Sequence, residues 1–208
     1  MAFKAKALGA LAGVLLCWSA HAVELDADAS ADARQMAQWV LATGDHGGRA
    51  FAVVDKRNAR IYVIDAQGRL AGSTPVLLGA ARGDHSVPGI GERPLNQIRP
   101  EERTTPAGRF ESEPGRNLSG EHIVWFDYDA GLAIHRVRPN LASYGARLQR
   151  LASGGSDDKR VSLGCVVVPE AFYDEVIRPV LGQGRGVVYV LPETAPAQQT
   201  FAGLASAG

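Results

Sequence analysis

Between Phe51 and Leu191 the apolar residues come in runs of about three to five, Phe51–Val54, Ile61–Ile64, Ile123–Phe126, Val166–Val168 and Val187–Leu191 among them, each bounded by Gly, Pro, Asp or Asn. Runs this short, rich in Val, Ile and aromatic residues, fill strands and leave too little length for buried helices. The spacing of turn residues predicts hairpins. Asp55–Asn58 joins Phe51–Val54 to Arg60–Ile64, and Asp129–Gly131 joins His122–Tyr128 to Leu132–Val137. Eight or so strands with three helices predict a mainly β domain, a β-sandwich of two packed sheets with a few peripheral helices.

Around these strands the pattern changes. Glu24–Ala33 is a small-residue acidic lead-in expected to be solvated, and from Ser30 a polar cap followed by Met36, Trp39 and Val40 at helical spacing predicts a helix that stops at Gly44. Pro75–Leu78 reads as a strand, and Gly79–Pro100 as a long loop. The stretch Thr104–Phe110 is a turn entering a strand, and Ser112–Gly120 a loop. Helical periodicity covers Leu141–Leu151 and Glu170–Leu181, and Gly186–Leu191 is a closing strand. The domain is expected over residues 49–194, after the lead-in and helix of 23–48. Ala195–Gly208 is expected to be a disordered tail.

Lys4 and Lys6 precede an apolar run from Ala7 to Trp18, and Ala20-His21-Ala22 places small residues where a signal peptidase cuts. The run of about 12 residues is shorter than the roughly 20 that span a bilayer, so residues 1–22 read as a cleaved export signal and the mature chain as carrying no transmembrane segment. Loss of Lys4 and Lys6 leaves 20 of 22 basic residues against 22 acids, a net charge of −2 that argues against nucleic acid as a partner. Lys56 and Lys159 are then the sole lysines, so arginine forks, which suit carboxylates, carry nearly all the positive charge. Loss of Cys17 leaves Cys165 without a partner. In an exported chain, an odd cysteine points to a reactive thiol in preference to a structural one.

A thiolate attacks carbonyls. With an ordinary pKa near 8.5 about 3% of a thiol is ionised at pH 7, whereas a pKa near 6 makes that about 90%, and a neighbouring histidine can supply the shift. His135, on a predicted strand 30 positions before Cys165, is the best candidate, with His122 the first substitute. The histidines lack metal-ligand spacing, and neither metal nor cofactor is expected.

Thr105-Pro-Ala-Gly-Arg-Phe110, then Ile134-His135, then Ser162-Leu-Gly-Cys165, in this order across roughly Arg49–Pro192, resemble the catalytic domain of the YkuD-like L,D-transpeptidases. The resemblance implies a β-sandwich of the L,D-transpeptidase catalytic type and a periplasmic enzyme acting on peptidoglycan stem peptides. Cys165 is then the nucleophile, His135 the general base, and Ser162 with Gly164 the frame of the turn, the amides of Gly164 and Cys165 supplying the oxyanion hole. Arg160 and Arg136 are expected to bind substrate, Arg160 having an ion pair with Asp157 or Asp158 as its alternative. Three positions depart from the family pattern: Arg136 stands for a glycine, Leu163 for a second histidine and Val167 for a polar residue. The acceptor of the acyl group is a second stem peptide, an envelope protein or, in a hydrolase, water. A noncatalytic wall-binding module is the remaining alternative.

Overall fold

The computed structural model describes residues 23–139 and 142–206, so the expected export signal and the expected start of a helix at Leu141 lie outside the described residues. Among the described residues ten strands form the body: β1 (Phe51–Asp55), β2 (Arg60–Ile64), β3 (Leu70–Pro75), β4 (Leu78–Gly79), β5 (Gly108–Arg116), β6 (His122–Asp127), β7 (Leu132–Arg136), β8 (Arg160–Ser162), β9 (Val166–Val168) and β10 (Gly186–Val190). Eight of them make one mixed sheet in the order β3-β2-β1-β10-β5-β6-β7-β9, and β4 pairs with β8 beside it.

β5 makes two layers out of one sheet. Its first half, Gly108–Ser112, pairs with β10, and its second half, Glu113–Arg116, pairs with β6. The sheet turns over along this strand, and the apolar faces of its two halves meet. Ala52, Val54, Ile61, Val63, Val188 and Val190 pack against Val124, Phe126, Ile134, Val166 and Val168. The segment Ser112–Gly120 was expected to be a loop, and most of it is strand. Its Glu, Pro and Gly residues hide the strand pattern, but each half of β5 has one neighbouring strand, and proline is tolerated at such edge positions.

The outer face of β1, β2 and β10 is also buried, which is why these strands read as unbroken apolar runs. Helix α1 (Ala31–Thr43) covers it with Met36, Ala37 and Val40. Ser30 caps this helix by accepting from the Ala33 amide at 3.0 Å, and Gly44 ends it in the left-handed conformation. The lead-in is not merely solvated: Val23 and Ala29 are buried, and Asp26 pairs with Arg60 and Ser73.

The expected disordered tail is corrected as well. Residues Ala197–Thr200 form a short helix, and Ala197, Phe201 and Leu204 are buried beside α1, with Phe201 6.4 Å from the Tyr189 ring. Three well-spaced apolar side chains suffice for docking when an apolar face is waiting for them.

Helix α2 (Tyr144–Ala152) lies in the crossover between β7 and β8, and buries Leu151 against Leu77, Val137 and Val167. After β9 the chain runs through α3 (Glu170–Phe172), a π-turn at Tyr173–Ile177 and α4 (Arg178–Val180), closing the central core with Tyr173, Ile177 and Leu181. Helix α5 is the Ala197–Thr200 segment. No helix among the described residues is long and apolar enough to cross a membrane.

Candidate active site

Parallel pairing of β7 with β9 sets Ile134 opposite Val166 and His135 opposite Val167. Cys165, one residue before β9, therefore sits at the strand end beside the strand that carries His135. A separation of 30 residues in sequence becomes one of neighbouring strands. Both side chains line one cavity of about 280 Å³, together with Trp125, Leu132, Leu163 and Val167.

Three hydrogen bonds hold the turn that presents the thiol. Ser162 Oγ donates to the Cys165 carbonyl at 2.7 Å and accepts from the Gly164 amide at 3.1 Å. Gly164 has φ +134°, and a Cβ there would lie 2.7 Å from the Thr104 carbonyl oxygen and 2.8 Å from Leu132 Cδ2, so the position requires glycine. Thr105 Oγ1 donates to the Gly164 carbonyl at 2.8 Å and accepts from the Gly79 amide at 2.9 Å. Thr105 thus clamps the cysteine turn to β4. This is the structural content of the Thr-Pro-x-Gly-x-Phe stretch.

The same contacts correct the expected oxyanion hole. The Gly164 amide is already committed to Ser162, which leaves it no proton for a substrate oxygen. Backbone N–H groups of Ala133 and of Cys165 itself face the sulfur and favour its thiolate.

Burial dominates the electrostatics of both groups. It pushes the Cys165 thiol above its ordinary value, against the smaller pull of the Ala133 amide and of Arg138. It lowers the His135 imidazole to about 4, opposed by a bond to the Arg136 carbonyl and reinforced by Arg138 and Arg147. The resting site at pH 7 therefore holds a neutral thiol and a neutral imidazole, in place of the preformed thiolate the sequence suggested. His135 Nδ1 lies 2.8 Å from the Arg136 carbonyl oxygen. A carbonyl can only accept, so Nδ1 carries the proton and Nε2 presents a lone pair.

His122 is not a substitute base, because its Nδ1 meets the Tyr173 hydroxyl at 2.9 Å in the core. His46 packs on Phe51, and His135 is the one histidine lining the cavity among the described residues.

The two arginines expected to bind substrate do not line the cavity. Arg160 pairs with the buried Glu193 at 3.0 Å and donates to the Lys56 carbonyl at 2.7 Å. Neither Asp157 nor Asp158 is its partner; Asp157 pairs with Arg82. Lys56, fully buried, donates to Asp84 at 2.7 Å and to the Thr105 carbonyl at 2.7 Å, so Arg160 belongs to an ionic network that backs the cysteine turn. Arg136 pairs with Asp174 at 3.1 Å and lies over the Tyr173 ring at 5.0 Å. The arginines that do line the cavity are Arg93, Arg138 and Arg147. The sequence carried one signal for Arg147: it stands one helical turn before Leu151, and hence on the face of α2 that packs inward.

No family model matches the sequence, and no curated protein is significantly similar to it. Among solved structures, the catalytic domain of an L,D-transpeptidase from E. faecium matches over 69% of this chain and 98% of its own, at 19% identity and a TM-score of 0.39. The helical cell shape determining protein Pgp2 from Campylobacter jejuni matches over 74% of this chain and 54% of its own, at 17% identity and a TM-score of 0.45. An L,D-transpeptidase from Mycobacterium smegmatis matches over 68% and 58%, at 20% identity and a TM-score of 0.37. The chain thus spans a little over half the length of the last two. Likenesses this shallow leave the activity to be read from the cavity. Fold and site together define a mainly β domain that brings one half-buried thiol and one neutral imidazole into a single cavity.

Proposed function

We propose that this chain is an exported cysteine L,D-transpeptidase of peptidoglycan, working through a thioester on Cys165. The observation that carries the proposal is the shared cavity of Cys165 and His135, with Nε2 the unprotonated nitrogen of the imidazole. In the donor step, sulfur attacks the carbonyl of the third stem residue while Nε2 takes the thiol proton. The amides of Cys165 and Ala133 receive the developing oxyanion. As the tetrahedral intermediate collapses, the bond to the terminal D-alanine breaks and its amine leaves with the proton from His135. An amine of a second stem peptide, or of an envelope protein, then attacks the thioester. Nε2 accepts a proton from that amine and returns it to the departing sulfur, so the thiol is restored.

Apolar walls beside the sulfur, formed by Leu132, Leu163 and Val167, favour transfer to a bound amine over attack by water. Purified tetrapeptide muropeptides incubated with the protein test the proposal. Crosslinked dimer or exchanged terminal residue is the expected product, and tripeptide alone at saturating acceptor would assign a hydrolase instead.

A further inference from the structure

Three arginines, Arg93, Arg138 and Arg147, line the Cys165 cavity, and their carboxylates are unequally shared. Arg93 meets the buried Glu102 at 3.1 Å, and Arg138 meets Glu121 at 2.7 Å. Arg147 meets no carboxylate among the described residues. Its Nε donates to Ser143 Oγ at 3.2 Å, and its two terminal amino groups have no hydrogen-bond acceptor among them. It is half-buried in the wall of the cavity. Partial loss of hydration without a counter-ion is costly for a cation, and an anion in the cavity would offset that cost. The neighbouring Arg138 and Arg150 add repulsion in the same sense.

We propose that Arg147, with Arg138 beside it, is a carboxylate anchor, so that the acyl donor this site selects carries a free carboxylate in addition to the carbonyl that Cys165 attacks. The inference deepens the acyl-transfer reading by naming the donor's chemistry, but the anchor itself requires only an anion near the thiol. A bound carboxylate has a second effect. Arg138 and Arg147 both disfavour the protonated form of His135, so neutralising them makes the imidazole a better proton acceptor once the donor is seated.

Alkylation of Cys165 separates the anchor from the reaction. The rate with iodoacetate, an anion, is divided by the rate with iodoacetamide, its neutral amide, at pH 9 and low salt. That ratio is normalised to the same ratio for N-acetylcysteine. In the wild type it should exceed one by roughly five-fold or more, Arg147→Gln should bring it close to one, and Arg147→Lys should recover part of it because the charge survives and the fork does not. With turnover in hand, Arg147→Gln should raise KM for a carboxylate-bearing donor and leave that for its amidated analogue little changed. A wild-type ratio of one, or a ratio that Arg147→Gln leaves unaltered, would overturn the anchor. If the ratio behaves as expected while no muropeptide is turned over, the anchor stands and the transpeptidase proposal falls.

Discussion

Cys165 and His135 are both kept neutral by burial, and this fixes how the proton must move. In the proposed reaction Nε2 has to accept it during attack, because no ion pair is waiting. With the imidazole lowered to about 4, the base form persists well below the ordinary histidine range, so kcat/KM should hold down to about pH 5 and fall as pH drops through 4. Alkylation by a neutral reagent should keep rising with pH past 8.5, since the thiol is raised. The same shift acts on stability. The unfolded chain takes up a proton near pH 6.5 that the native His135 refuses, so stability is full above that pH and is lost as pH falls from 6.5 toward 4. His135→Gln should lower kcat/KM by about 10² to 10⁴-fold and flatten that acid loss of stability. A thiol that titrates near 6 in the wild type would contradict this account.

Elements decide where these residues stand, and here the sequence was legible in parts. Strands β1, β2, β6, β9 and β10 show in it because burial on one or both faces demands apolar runs. β3, with Gly72, Ser73 and Thr74, and β5, with Glu113 and Pro114, do not show: each forms a hairpin with a strand adjacent in sequence, but most of their residues are half-buried or exposed, so no apolar run is demanded. The thiol and its histidine were legible as a lone cysteine and a strand-borne imidazole. The arginines were not, because proximity in sequence does not set where a long side chain turns: Arg160 is five residues from Cys165 and reaches instead to Glu193. Thr105 is the element-scale joint, tying β4 to the cysteine turn. Thr105→Val keeps the shape but leaves the Gly79 amide and Gly164 carbonyl without this partner. It should cost about 1–3 kcal/mol and lower turnover, whereas Thr105→Ser should retain most of both. Thermal melts and donor assays check this, and a Val variant as stable and active as wild type would remove Thr105 from its role.

At the scale of the whole molecule, a single sheet folded over along β5 lets distant segments meet behind one cavity. β9 brings the thiol, β7 the imidazole, the β7–β8 crossover an arginine, and the Lys56–Asp84–Glu193–Arg160 network supports the turn from the rear. The tail, expected to be loose, completes the outer face of the same sheet with Phe201 and Leu204. The central claim is that this assembly makes Cys165 an acyl carrier. Intact-protein mass spectrometry of the wild type, quenched in acid during reaction with a disaccharide tetrapeptide, tests it most directly. The expected result is an adduct equal to the donor less its terminal D-alanine, mapped to Cys165, absent from Cys165→Ala and slow to form in His135→Gln. An adduct of that mass in Cys165→Ala, or turnover with none on the wild type under conditions that trap thioesters, would contradict the account.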